Sequence, residues 1–280
     1  MKRKGCSCGD DNTMDNGIPR HALYETKAML RALELQGAVL IPGALDASLS
    51  TTTRATIDAL RATHWDEARD DPRGFDGGRA LDRYLCVFNR DPFWLQFLDR
   101  PGIIDLAEAA LGPDCHVIGE TAWRSHPGFR GEPLHADYLP VTWPEGALPD
   151  AVRIPMCILT AHFYLCDVPA GLAPTRLIPG SHRAGRAPDA DERDWQGVPA
   201  QAIVAREGDA LVFRSDVWHA GSDNTTRDRV RYLLQVHYGR REMAQHFSPF
   251  MEWRFAPAVL AAASRRQRRL LGDHQPGPYD

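Results

Sequence analysis

Downstream of Gly112 the chain breaks into short runs rich in β-branched and aromatic residues. They span 116–123, 133–138, 154–165, 175–178, 202–204, 210–213 and 230–238, and Pro, Gly or Asp turns separate them. Runs this short bury an apolar face only by packing on one another, so the pattern predicts a sandwich or barrel. Upstream the periodicity is helical. Leu23, Met29, Leu30 and Leu33 recur at helical spacing over 21–36, and Gly37 ends the run. A buried strand is expected at 38–41, then helices at 49–69 and 92–111, with a loop at 70–80 between them. Helix returns at 258–271, where Arg265, Arg266, Arg268 and Arg269 read as a solvated face.

Residues 1–18 are polar and aperiodic and read as a disordered tail. No repeat or linker divides 19–280, so one domain is expected, with an all-β core at about 113–240 and helices packed around it. The chain has 280 residues, of which 43% are hydrophobic, enough for a sizeable core without disulfides. Six cysteines lie scattered; Cys157 and Cys166 sit in an apolar stretch and read as buried thiols. Cys6 and Cys8 have no second ligand pair nearby, which argues against a metal there. The net charge of −4, with both signs interspersed, speaks against nucleic acid as a partner. No apolar run is long enough to span a bilayer and no signal-peptide core opens the chain, so the expectation is cytoplasmic, with no membrane contact.

His135-Ala136-Asp137 is the sharpest local feature. On a strand, residues i and i+2 share a face, so this imidazole and carboxylate could meet one divalent ion. Alone, His-x-Asp reads better as a hydrogen bond on a surface loop. Its context strengthens it. Gly208-Asp209 precedes a strand that leads into Trp218-His219-Ala220-Gly221, and His219 would complete a facial triad of two histidines and one carboxylate. Arg229 and Arg231 follow, and either could fork onto a carboxylate.

These motifs, with Pro174-Thr175 through Pro179-Gly180-Ser181-His182, and with Asn224, stand in one order. In that order the chain resembles the phytanoyl-CoA dioxygenase (PhyH-like) family of iron(II)/2-oxoglutarate oxygenases over about residues 37–238. The resemblance implies a mostly β fold, a double-stranded β-helix (jelly-roll, cupin-like barrel) with flanking helices. It implies iron(II) held by His135, Asp137 and His219, with 2-oxoglutarate as cosubstrate and O2 as oxidant. The family's 2-oxoglutarate arginine follows the distal histidine by about eleven residues. Val230 stands at that spacing here; matching the downstream strand selects Arg231, with Arg229 of the same parity as the alternative. Thr175 matches a family threonine that bonds the cosubstrate. Two departures stand out. Pro169-Ala170-Gly171-Leu172-Ala173 replaces a common Glu-Asn-Gly segment. Glu132 stands where a cosubstrate-binding glutamine is frequent, and as a carboxylate it is expected to point away or be paired.

The implied reaction is oxidative decarboxylation of 2-oxoglutarate to succinate and CO2, coupled to oxidation of a small organic substrate. Asp137 stands where halogenating relatives carry a small residue, which favours hydroxylation or a related oxidation. No cue for coenzyme A is present, and a bacterial natural-product intermediate is the expected substrate. Trp123, Tyr138 and Trp143 are candidate substrate contacts, and 139–153 is a candidate specificity loop. His182 reads as a loop-fixing residue and His237 as a core hydrogen-bonding one. Two other readings use the same triad: a cupin-like metal-binding protein or isomerase independent of 2-oxoglutarate, and a zinc hydrolase.

Overall fold

A computed structural model describes residues 17–60, 80–143, 147–149, 151–247 and 253–276. Cys6, Cys8, residues 1–16 of the expected tail, residues 61–69 of the expected second helix and the loop 70–79 lie outside them. Ile18, at the end of that tail, is buried in a core cluster with Leu40, Leu211 and Val217.

Helix α1 (Thr26–Leu35) is shorter than its pattern, because Tyr24 adopts a left-handed conformation at φ 77° just upstream. Strand β1 (Ala38–Ile41) follows, then α2 (Ala47–Ala59), capped where the Asp46 carboxylate accepts from the Leu49 N–H at 2.8 Å. The long helix expected at 92–111 is broken into a 3₁₀ turn, α3 (Leu95–Leu98) and α4 (Ile103–Leu111). Gly102 sits between the last two at φ 79°, and a Cβ there would meet Leu23 at 2.6 Å. The C-terminal helix is likewise two pieces, α5 (Pro257–Ala262) and α6 (Arg265–Leu270), the second opened by a Ser264–Gln267 capping box. Its arginines are not merely solvated: Arg266 and Arg269 both clamp Glu108 of α4, at 2.6 and 2.5 Å.

The remaining strands are β2 (Leu81–Leu85), β3 (His116–Ser125), β4 (Ile158–Tyr164), β5 (Thr175–Leu177), β6 (Asp194–Trp195), β7 (Val198–Pro199), β8 (Gln201–Ala202), β9 (Ala210–Arg214), β10 (His219–Gly221) and β11 (Arg231–Gly239). An antiparallel sheet of order β1-β9-β4-β11-β3-β2 faces a smaller one of order β10-β5-β8. This is the jelly-roll barrel expected of the β-rich half, and β1 from the helical half completes its larger sheet. The segment 133–138 is not a strand; it contributes one bridge, His135 to His219.

Period-two alternation sorts the large sheet. On β11, Arg231, Leu233, Gln235 and His237 line a cavity between the sheets, while Leu234, Val236 and Tyr238 are buried against the helices. Each fully buried aliphatic there contributes about 1.5–3 kcal/mol. Of the four described cysteines, all free, Cys86 and Cys115 are buried. Cys157 and Cys166 are only half-buried, against expectation, because they lie just outside the ends of β4.

Glu120 of β3 is wholly buried, and burial pushes its pKa well above the ordinary carboxyl range. The folded state therefore binds a proton that the unfolded state releases, so stability falls as pH rises above the unfolded value of about 4.3. Glu120→Gln is expected to flatten that fall and to raise the urea midpoint at pH 7; an unchanged pH profile would contradict a buried neutral acid. Arg214 and Asp216 form a buried pair at 2.7 Å, with exposures of 4% and 3%. Asp216→Ala strands the guanidinium and is expected to cost about 3–5 kcal/mol in urea unfolding.

Candidate metal centre

The Gly208-Asp209 turn sets up the strand before the centre. Gly208 is at φ 89° with the Leu45 carbonyl where a Cβ would be, and the Asp209 carboxylate accepts from the Gly43 and Arg206 N–H groups. After β9, the Arg214–Asp216 pair brackets Ser215, whose carbonyl accepts from the N–H groups of both Asp137 and Tyr138. Ser181 of the Pro179-Gly180-Ser181-His182 turn accepts from the Trp218 N–H at 2.8 Å and so fixes the residue before His219. His182 donates to the Glu34 carbonyl at 3.1 Å, the loop-fixing role expected of it. Asn224 donates to the Ser125 and Arg229 carbonyls and closes the loop before β11.

His135 and His219 exchange backbone hydrogen bonds of 2.9 and 2.8 Å, which lays the 135–137 segment along β10. Asp137 then stands between two imidazoles. Its Oδ1 is 3.5 Å from His135 Nε2 and its Oδ2 is 3.6 Å from His219 Nε2. One ligand atom from each of the three residues lies within 4.8 Å of the others. Each ring's other nitrogen is engaged: His135 Nδ1 donates to the Pro133 carbonyl at 2.8 Å, and His219 Nδ1 to the Val217 carbonyl at 3.0 Å. These bonds fix the tautomers and turn both Nε2 lone pairs inward, as metal-ligating histidines require.

The electrostatics agree. Burial lowers the His219 pKa, with Asp137 offsetting only part, so this imidazole is neutral and able to ligate. Burial also acts on His135, but the hydrogen bond and charge of Asp137 outweigh it and leave the value raised. Asp137 is held well below the usual carboxylate range, since the histidine charges and hydrogen bond overcome its own burial.

The cavity beside the triad is about 460 Å³, a common size for a small-molecule site. Arg231 lines it. It is buried, bonds the Ala173 carbonyl and Ser125 Oγ, and has no carboxylate within ion-pair distance among the described residues. Its Nε lacks a partner within hydrogen-bond distance, and the buried Tyr164 hydroxyl lies close to both Arg231 and Thr175. Thr175 lines the same cavity. A buried guanidinium with donors to spare fits an incoming carboxylate.

Other expectations fare differently. Arg229 is exposed outside the cavity and donates to the Asp167 carbonyl, because β11 begins only at Arg231. Trp123 and Tyr138 line the cavity. Trp143 does not; it packs on Gly185, where its backbone N–H bonds the Gly185 carbonyl. The expected specificity loop is described except at 144–146 and 150, and Leu148 of it is buried. Glu132 neither points away nor finds a partner among the described residues; it lines the cavity. His237 is both things at once, a cavity residue and a hydrogen-bond partner of Thr160 at 2.9 Å. Sequence reasoning missed Arg83, His162 and Gln235. Gln235 shares strand parity with Arg231, and that signal was available.

A family model, phytanoyl-CoA dioxygenase (PhyH), matches residues 33–231, more than half of the chain. The chain belongs to the PhyH family. It is thus a 2-oxoglutarate-dependent non-haem iron dioxygenase. Dioxygenase af480 of Aspergillus fumigatus is 27% identical over 238 residues, covering 79% of this chain and 68% of that protein. Dioxygenase FrzG of a Cladobotryum species is 30% identical over 124 residues, 41% of this chain and 38% of its own. Among solved structures, HygX of Streptomyces hygroscopicus with nickel and 2-oxoglutarate bound aligns at TM-score 0.62 and 16% identity, over 78% of this chain and 89% of that one. The epimerase SnoN in complex with Fe3+, alpha ketoglutarate and nogalamycin RO aligns at 0.58 and 18%, over 77% and 84%. At these identities the likeness is one of fold, and it corroborates the double-stranded β-helix of this PhyH-family chain.

A ligand that binds only the folded protein at a hundred times its Kd stabilises by about 2.7 kcal/mol. Iron(II) added anaerobically is expected to raise the urea midpoint correspondingly, and His219→Ala to erase the gain; an undiminished gain in the variant would place the ion elsewhere. Because the metal displaces a proton from His135, whose pKa is raised, affinity should weaken as pH falls through that protonation.

Proposed function

We propose that His135, Asp137 and His219 hold the iron(II) and that Arg231 and Thr175 hold 2-oxoglutarate, in an enzyme that hydroxylates a small organic substrate. One observation carries the reading. Among the described residues, the one group of side chains placed to hold a metal together sits in the same cavity as a buried arginine with no carboxylate at ion-pair distance. When bound, iron and 2-oxoglutarate supply the oxidising chemistry with O2, and succinate and CO2 leave.

The chain's own residues position and exclude. The Nδ1–H bonds of the two histidines hold the ligand face rigid, which keeps the reacting groups in register. Arg231, anchored by Ala173 and Ser125, meets the distal carboxylate of the cosubstrate. The substrate takes the remaining volume, against Trp123, Tyr138, Ile118, Leu85 and Met243. These walls suit a partly apolar molecule with ring or alkyl carbons to oxidise. HygX with hygromycin B bound and SnoN with nogalamycin RO bound support a natural-product substrate class on this fold.

Arg231→Gln should weaken 2-oxoglutarate binding by about 100-fold, in line with the loss of charge-assisted bonds at a buried site. Arg229→Ala should leave it unchanged. Calorimetric titration of 2-oxoglutarate into the anaerobic iron(II) protein reads both, and the reverse order would move the cosubstrate site to Arg229. His135→Ala should abolish succinate formation; succinate at the parent rate would remove the triad from the reaction.

A further inference from the structure

Behind Thr175 runs a chain of hydrogen bonds whose direction is fixed at its far end. Trp123 Nε1 on β3 donates to Gln235 Oε1 on β11 at 3.0 Å. An indole N–H can only donate, so the Gln235 carbonyl must face it. The amide nitrogen therefore faces His162 on β4, and Gln235 Nε2 donates to His162 Nε2 at 2.9 Å. His162 Nε2 must then carry a lone pair. The proton of this neutral ring is left on Nδ1, which donates to Thr175 Oγ1 on β5 at 3.3 Å. Burial agrees, since it pushes His162 well below its ordinary value and keeps it uncharged. Thr175 Oγ1 is thereby an acceptor from behind; the nearby Tyr164 hydroxyl can donate to it as well, which leaves the threonine O–H to donate into the cavity that it lines with Arg231.

We propose that His162 and Gln235 are positioning residues that orient the Thr175 hydroxyl as a donor to a carboxylate of 2-oxoglutarate. The relay passes between β11 and β4 within the large sheet at the register His162↔Gln235, and crosses to the small sheet at the His162–Thr175 bond. It links Trp123, which carries Arg83 over its ring at 5.0 Å, to Thr175. With the opposite tautomer, Thr175 would spend its proton on His162 and present only lone pairs to an anion. The inference rests on the proposed role of Thr175, and its test separates the two.

The tautomer is read first, by nitrogen-15 NMR of the histidine rings in the metal-free wild-type protein, with His162→Gln used to assign the signal. A protonated Nδ1 with bare Nε2 is the expected result; a protonated Nε2, or a doubly protonated ring at neutral pH, overturns the proposal. Calorimetric binding of 2-oxoglutarate to the anaerobic iron(II) protein follows. Thr175→Val should weaken it about tenfold, the cost of one hydrogen bond to a charged group. Gln235→Met should weaken it by a smaller factor, about threefold, and the double variant should be no weaker than Thr175→Val alone. Trp123→Phe, which keeps the ring and removes the donor, repeats the test should Gln235→Met not fold. If Thr175→Val has no effect, the assigned role of Thr175 fails, and the relay has nothing to act through. If Thr175→Val weakens binding while the Gln235 and Trp123 variants do not, or the effects simply add, the relay alone fails.

Discussion

The pair of backbone hydrogen bonds between His135 and His219 is the constraint on which the rest of the site depends. It replaces a strand pairing with a single bridge. That suffices because the carbonyl of Ser215 catches the N–H groups of Asp137 and Tyr138 on the far side. The 135–137 segment is thus pinned at both ends, and its carboxylate is delivered between two rings whose outer nitrogens are already engaged. The buried Arg214–Asp216 pair belongs to the same device, since it shapes the turn that presents Ser215.

Arg231 shows how the fold keeps a charge buried against the cavity. A buried guanidinium left without a carboxylate is costly, and the protein answers with two neutral acceptors and leaves Nε unmet. An arrangement that is poor for stability is well suited to an anion that arrives later. The neutral His162 beside it follows the same economy, because a charged imidazole would crowd a second cation into the interior.

The familial departure at Glu132 takes on meaning only in three dimensions. Its side chain lines the cavity beside Gly221, where even a Cβ would meet the Glu132 stem only at an ordinary contact of 3.6 Å. Trp143, by contrast, lies close to the triad in sequence and yet packs away on Gly185. Proximity along the chain says little about a cavity whose walls come from two sheets and several loops.

The sequence by itself determined the β-rich half, the helical flanks and which three residues form the candidate triad. Period-two alternation and the spacing of turn residues are local properties that need no partner to be read. The order of the motifs likewise marked His135, Asp137 and His219. Tertiary structure decided the rest. Whether 133–138 pairs as a strand depends on the neighbour it meets, and it meets only one residue of β10. That Arg231 lines the cavity and Arg229 does not depends on where β11 starts pairing with β3, since both have the same parity and only one lies within the sheet. The direction of the hydrogen bonds from Trp123 to Thr175 joins four strands far apart in sequence, and no local pattern encodes it.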